Sequence, residues 1–151
     1  MAPPCKGQIK ACRPPPLGQV MTAYTEAITF TQAQVEAFAA LSGDNNPLHL
    51  SEAYAASTIF KTPIVHGMWV AAAFSRVFGT QMPGPGTVYL SHNLQFLRPV
   101  YVGKPYRLSI TFLRAEPRRN HLFFETLLTD AATGKKMVTG EACVQNAAFV
   151  Y

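Results

Sequence analysis

The chain has 151 residues, which suits one compact domain and leaves little room for two. Hydrophobic residues make up 48% and charged residues only 14%, so core material is ample, and part of the surface is expected to be hidden in a partner chain. The net charge of +5 comes from scattered bases without a dense run interleaved with aromatics, which argues against nucleic acid and fits a phosphate-bearing small ligand.

In chain order, residues 1–18 read as a flexible lead, basic and rich in proline (Pro3, Pro4, Pro14, Pro15, Pro16). The prolines disfavour an amphipathic mitochondrial transit segment, so a cytoplasmic location is expected and the mitochondrial matrix is the alternative. Cys5, Cys12 and Cys143 lack disulfide or zinc spacing, which fits a reducing compartment. A single domain is expected over residues 19–151.

Gln19 to Phe30 has the pattern of a first strand. Thr31 and Gln34 form a capping-box signature, and Val35, Phe38, Ala39 and Leu41 then mark one helical face, with Gly43 as its stop. Asn46-Pro47 breaks the chain and starts a second, short helix carrying Leu48, His49, Tyr54 and Ala55. Gly67 to Phe78 is apolar almost all round and is expected to be a buried helix, closed by Pro83-Gly84-Pro85-Gly86. No apolar run reaches the roughly 18 residues of a membrane span. Four alternating runs follow: 90–96, 106–112, 121–129 and 137–145. They predict an antiparallel meander that joins the first strand in a five-stranded sheet. The expected architecture is α+β, with that sheet curled around the long helix.

Two features carry chemistry. Asp44 and His49 would lie about 140° apart on one continuous helix, given 3.6 residues per turn. The proline break lets the linking residues fold the carboxylate back towards the imidazole. Such a pair can share a water as a general acid/base unit, because histidine titrates near neutral pH. The alternative is that Asp44 caps a helix and His49 is a satisfied core histidine. The second feature is Gly67, after Pro63-Ile64-Val65-His66, at the start of the long helix. Free N–H groups and the helix dipole there favour a developing oxyanion. Gly67 could equally allow close helix packing, and His66 reads more readily as structural than as an acid or base.

The stretch Phe38-Ala39-Ala40-Leu41-Ser42-Gly43-Asp44-Asn45-Asn46-Pro47-Leu48-His49, followed five residues later by Ala55, resembles the hydratase 2 motif of the MaoC-like family. Pro63-Ile64-Val65-His66-Gly67-Met68 and Phe96-Leu97-Arg98-Pro99-Val100-Tyr101-Val102-Gly103 are also similar to that family. The resemblance spans roughly residues 17–146. It implies a hot-dog fold, a homodimer and no cofactor or metal. The implied reaction is reversible syn-hydration of a trans-2-enoyl-CoA to the (R)-3-hydroxyacyl-CoA. By position it assigns Asp44 and His49 to the water and the Gly67 N–H to the thioester oxygen. It further implies that Ser75, Asn46, Val65, His66 and Trp69 line the substrate, with packing as the competing role for Ser75 and Trp69. Lys104 and Trp69 depart from the family pattern, and the indole bears on acyl chain length. The alternatives are a 3-hydroxyacyl carrier-protein dehydratase and a non-catalytic acyl-thioester binding module; a thioesterase would need a differently placed carboxylate.

Overall fold

The computed structural model describes residues 22–148; the expected lead lies outside them. Strand β1 (Ala23–Thr29) alternates half-buried and exposed residues and ends on the buried Phe30. Helix α1 (Gln32–Ser42) opens with the expected capping box: Gln34 N–H donates to Thr31 Oγ1 at 3.3 Å, and Thr31 N–H donates to Gln34 Oε1 at 2.9 Å. Gly43 ends it in the left-handed region, φ 79°, which glycine enters without a Cβ penalty. Val35 and Ala39 are buried, but Leu41, expected on the same face, points to solvent.

The expected second helix is two short ones, α2 (Pro47–Leu50) and α3 (Glu52–Ser57). Ser51 separates them in an extended conformation. Its N–H closes α2 on the Pro47 carbonyl, and its Oγ accepts from Tyr54 N–H to open α3. A serine hydroxyl competes in this way for backbone donors, so the helix restarts instead of continuing. Helix α4 (Gly67–Thr80) follows as expected.

Strands β2 (Val88–Phe96), β3 (Pro105–Glu116), β4 (His121–Asp130) and β5 (Lys136–Gln145) complete one antiparallel sheet in the order β1-β3-β4-β5-β2. The predicted meander holds for β3, β4 and β5 only. Strand β2 pairs with β5, because its connection to β3 crosses the sheet instead of turning back. Leu97 and Arg98 N–H bond the Met137 carbonyl, Val100 accepts from Val65 N–H at 2.7 Å, and Gly103 N–H reaches the Phe30 carbonyl at 2.8 Å.

The sheet wraps α4 as expected of a hot-dog fold. Val70, Ala73, Phe74, Val77 and Phe78 of α4 pack on Leu108, Ile110, Phe124, Leu128 and Val144. Each fully buried aliphatic or phenyl side chain contributes about 1.5–3 kcal/mol. The helix is not covered all round in the single chain, as its composition had suggested: Met68, Ser75 and Arg76 are exposed.

Gly140 in β5 fixes the fit of β2. A Cβ there would sit 2.2 Å from the Asn93 carbonyl oxygen, and this backbone cannot give way without breaking the ladder. Gly140→Ala is therefore expected to cost about 3 kcal/mol, at the upper end of overpacking penalties. Chemical denaturation would measure it, and an unchanged midpoint would refute the fit.

Candidate active site

The Asp44 link and His49 meet at the start of α4. The link (43–46) holds itself by local bonds: Asp44 N–H to Ser42 Oγ, Asn45 N–H to the Gly43 carbonyl, and Asn46 N–H to Asp44 Oδ1. Asn46 caps α2 with its side-chain oxygen on Leu48 N–H, and Pro47 occupies the first turn. His49 is thereby delivered to the inner side of α2, where it is 8% exposed.

His49 Nδ1 lies 2.7 Å from the Ile64 carbonyl oxygen. A carbonyl can only accept, so Nδ1 carries the proton and Nε2 keeps its lone pair. His66 Nε2 lies 3.0 Å from the Asp44 carbonyl oxygen, and by the same rule it donates. The two imidazoles stack with centroids 3.9 Å apart and planes 31° apart, and Phe38 covers His66 at 5.1 Å. An Asp44 carboxylate oxygen and one ring nitrogen from each histidine lie within 4.8 Å of one another. One water can bridge two acceptors as far apart as about 5.6 Å, twice an ordinary hydrogen bond. The same three side chains are the candidate metal ligands here, but lone pairs lie in the ring planes, and stacked planes do not converge on one ion.

Burial holds the His49 pKa below its usual value of 6.5. The stacked His66 lowers it further, while the Ile64 hydrogen bond and the Asp44 charge partly offset this. At neutral pH the ring is therefore mainly the uncharged form that can take a proton.

Gly67 is the first residue of α4, and the N-cap residue His66 makes no side-chain cap bond, so the helix opens with bare N–H groups. A Cβ on Gly67 would lie 3.1 Å from the Phe96 ring. Both sequence readings of this glycine thus apply: close packing and an open donor.

The other candidates separate. Val65 is in the core, 4% exposed, and braces the segment from behind. Trp69 packs on Phe38 and Phe30, at 5.7 and 6.3 Å between ring centroids, in a packing role. Ser75 is exposed and lies eight residues beyond Gly67, about 12 Å along the helix axis at 1.5 Å per residue. Lys104, the noted departure, sits 4.7 Å above the Tyr101 ring. His66 is buried at 1% exposure, in keeping with the structural reading of it. The Ile64 carbonyl left no trace in the sequence, because every residue has one.

A further, half-buried histidine was not among the sequence candidates. His92 in β2 hydrogen-bonds Tyr89 Oη and Thr126 Oγ1, with Phe74 edge-on to its ring. Burial pushes its pKa down to about 4. Its folded pKa is below the unfolded 6.5, so its contribution is complete above pH 6.5 and is lost as pH falls towards 4. The expected loss is up to about 3 kcal/mol across that window, and His92→Gln should flatten the pH dependence of the denaturation midpoint. Equal slopes in both proteins would contradict the assignment.

The MaoC-like domain family matches residues 17–133. An (R)-specific enoyl-CoA hydratase from Aeromonas caviae is 47% identical over 120 residues, 77% of this chain and 86% of the relative. One of the same name from Rhodospirillum rubrum is 41% identical over 118 residues, 78% and 81% of the two chains. Among solved structures, an (R)-hydratase from A. caviae involved in PHA biosynthesis superimposes with a TM-score of 0.79 at 40% identity, covering 84% of this chain and 96% of that one.

Proposed function

The chain belongs to the MaoC-like domain family, and from that premise we propose that it is an (R)-specific enoyl-CoA hydratase. It adds water reversibly, in the syn sense, to a trans-2-enoyl-CoA and forms the (R)-3-hydroxyacyl-CoA.

The observation that carries this reading is the pinned tautomer of His49. With Nδ1–H on the Ile64 carbonyl, Nε2 keeps its lone pair, on an imidazole that has a ring nitrogen within 4.8 Å of the Asp44 carboxylate. In the proposed reaction a water lies between the two. Its oxygen bonds to C3 of the enoyl group as one of its protons passes to the pair. The π electrons move through C2 to the thioester oxygen, which the Gly67 N–H receives at the start of α4. A proton then reaches C2 on the same face, the enolate collapses, and one water has been added. Asp44 and His49 act as one coupled unit, since each sets the charge of the other. Preorganised donors at a developing oxyanion are worth several kcal/mol because they need not reorient during the step.

The test is the fall in enoyl-thioester absorbance with crotonyl-CoA and longer enoyl-CoA substrates, followed by chiral analysis of the product. Turnover to the (R)-alcohol is expected. No absorbance change at any chain length, with thioester binding retained, would turn the assignment to a binding module.

A homodimer is part of the proposal. Strand β2 is an edge of the sheet, with Val88, Leu90 and Phe96 exposed, and Met68 of α4 is 65% exposed. An unpaired apolar edge is usually covered. Light scattering at micromolar concentration should give twice the chain mass. No helix among the described residues is long and apolar enough to cross a membrane. A cytoplasmic location is proposed, in keeping with the free thiol of Cys143.

A further inference from the structure

We propose, resting on the hydratase reading, that His66 is a positioning residue that sets both members of the Asp44/His49 pair, through its Nε2–H on the Asp44 carbonyl and its ring face on His49.

The link carrying Asp44 is exposed, and its other hydrogen bonds span no more than four residues in sequence. Local bonds of this kind shape a turn but do not place it relative to the rest of the fold. The His66 bond does. It spans 22 positions, at 3.0 Å, from the N-cap residue of α4. His66 itself is fixed. It is 1% exposed, Phe38 of α1 covers it at 5.1 Å, and the backbone just before it is clamped by Val65 N–H on the Val100 carbonyl.

Its ring also supports His49 at 3.9 Å between centroids. The Ile64 bond fixes one edge of that imidazole, and the stack fixes its plane. Together they aim Nε2. The groups facing the His66 ring are Asp44 from the link, His49 from α2 and Phe38 from α1, while its carbonyl accepts from Trp69 N–H. Packing alone does not account for a histidine here. His66 Nδ1 is buried and meets no partner among the described residues. An apolar ring of the same size would avoid that orphan. What the apolar ring lacks is the donor for Asp44.

Displacing a catalytic group by about 1 Å can cost about 100-fold in rate. His66→Phe keeps a stacking ring and removes the donor. It is expected to lower kcat for crotonyl-CoA by about 100-fold with KM changed less than about threefold. His66→Gln restores an amide N–H and should recover at least about tenfold of that loss. His66→Leu, which lacks both the donor and the ring, should be at least as impaired as the phenylalanine variant and replaces it if that variant does not fold.

A measurement independent of turnover accompanies these. Amide exchange at Asn45 and Asn46 should be at least about tenfold faster in the donor-less variants and slow again in His66→Gln. Wild-type kcat in both donor-less variants, or glutamine no better than leucine in rate and exchange, would overturn the proposal. Absence of crotonyl-CoA turnover in the wild type would instead strike the hydratase reading, and the exchange experiment would then decide the positioning role.

Discussion

His49→Ala and Asp44→Asn are each expected to lower kcat for crotonyl-CoA hydration by about 10³- to 10⁴-fold, at the upper end for general acid–base catalysis. The two substitutions act differently. Removing the imidazole deletes the lone pair aimed by the Ile64 carbonyl. Replacing the carboxylate keeps the size of Asp44 and its place in the link, but removes the charge that supports proton transfer. Because the pair is coupled, the double variant should be little worse than either single one. Additive losses would mean that the residues work in separate steps. The wild-type profile gives a further check. Burial and His66 hold the His49 pKa below 6.5, so kcat/KM should stay level to below that pH before falling. Unchanged rates in both single variants would remove the catalytic assignment altogether.

The second large effect is at Gly67. Proline is tolerated at the first position of a helix, where the N–H has no intrahelical partner, yet it has no N–H to offer an oxyanion. Both Gly67→Ala and Gly67→Pro place a Cβ against the Phe96 ring, where the contact would be 3.1 Å. Alanine is therefore the steric control for proline. The proline variant is expected to be slower than the alanine variant by a further factor of about 10²–10³, the cost of one oxyanion donor. The ratio of the two rates isolates the hydrogen bond from the crowding. A ratio near one would leave Gly67 with a packing role only.

Much of this arrangement is legible in the residues, and the limits of legibility have physical causes. The capping box at Thr31, the left-handed Gly43 and the Asn46-Pro47 restart are local signals. Each depends on residues within three or four positions, and each is found where expected. The alternating runs of β3, β4 and β5 are found for the same reason. The pairing of β2 with β5 is not local. It depends on how residues 97–104 bond to β1 and β5, and no periodicity encodes that path. Ser51 shows a weak signal losing to a strong one: the apolar spacing of Leu48 to Ala55 suggested a single helix, and one hydroxyl divides it.

The site divides in the same way. Asp44 and His49 could be paired from the proline break, because the geometry needed is a turn. The groups that hold them, the Ile64 carbonyl and the His66 ring, come from 15 and 22 positions away. Ser75 is readable by its family position, and it is exposed on α4, two turns beyond Gly67.

Ile64, His66 and Gly67 lie within four consecutive positions, and Val65 between them is locked to Val100 in the core. The proposed catalytic residues and the hydrophobic interior therefore share one cooperative unit. A region of this kind does not fray ahead of the rest. Along a urea titration, activity should vanish together with tertiary structure, without an earlier, softer inactivation step. Heating should leave no window in which a folded but idle enzyme accumulates.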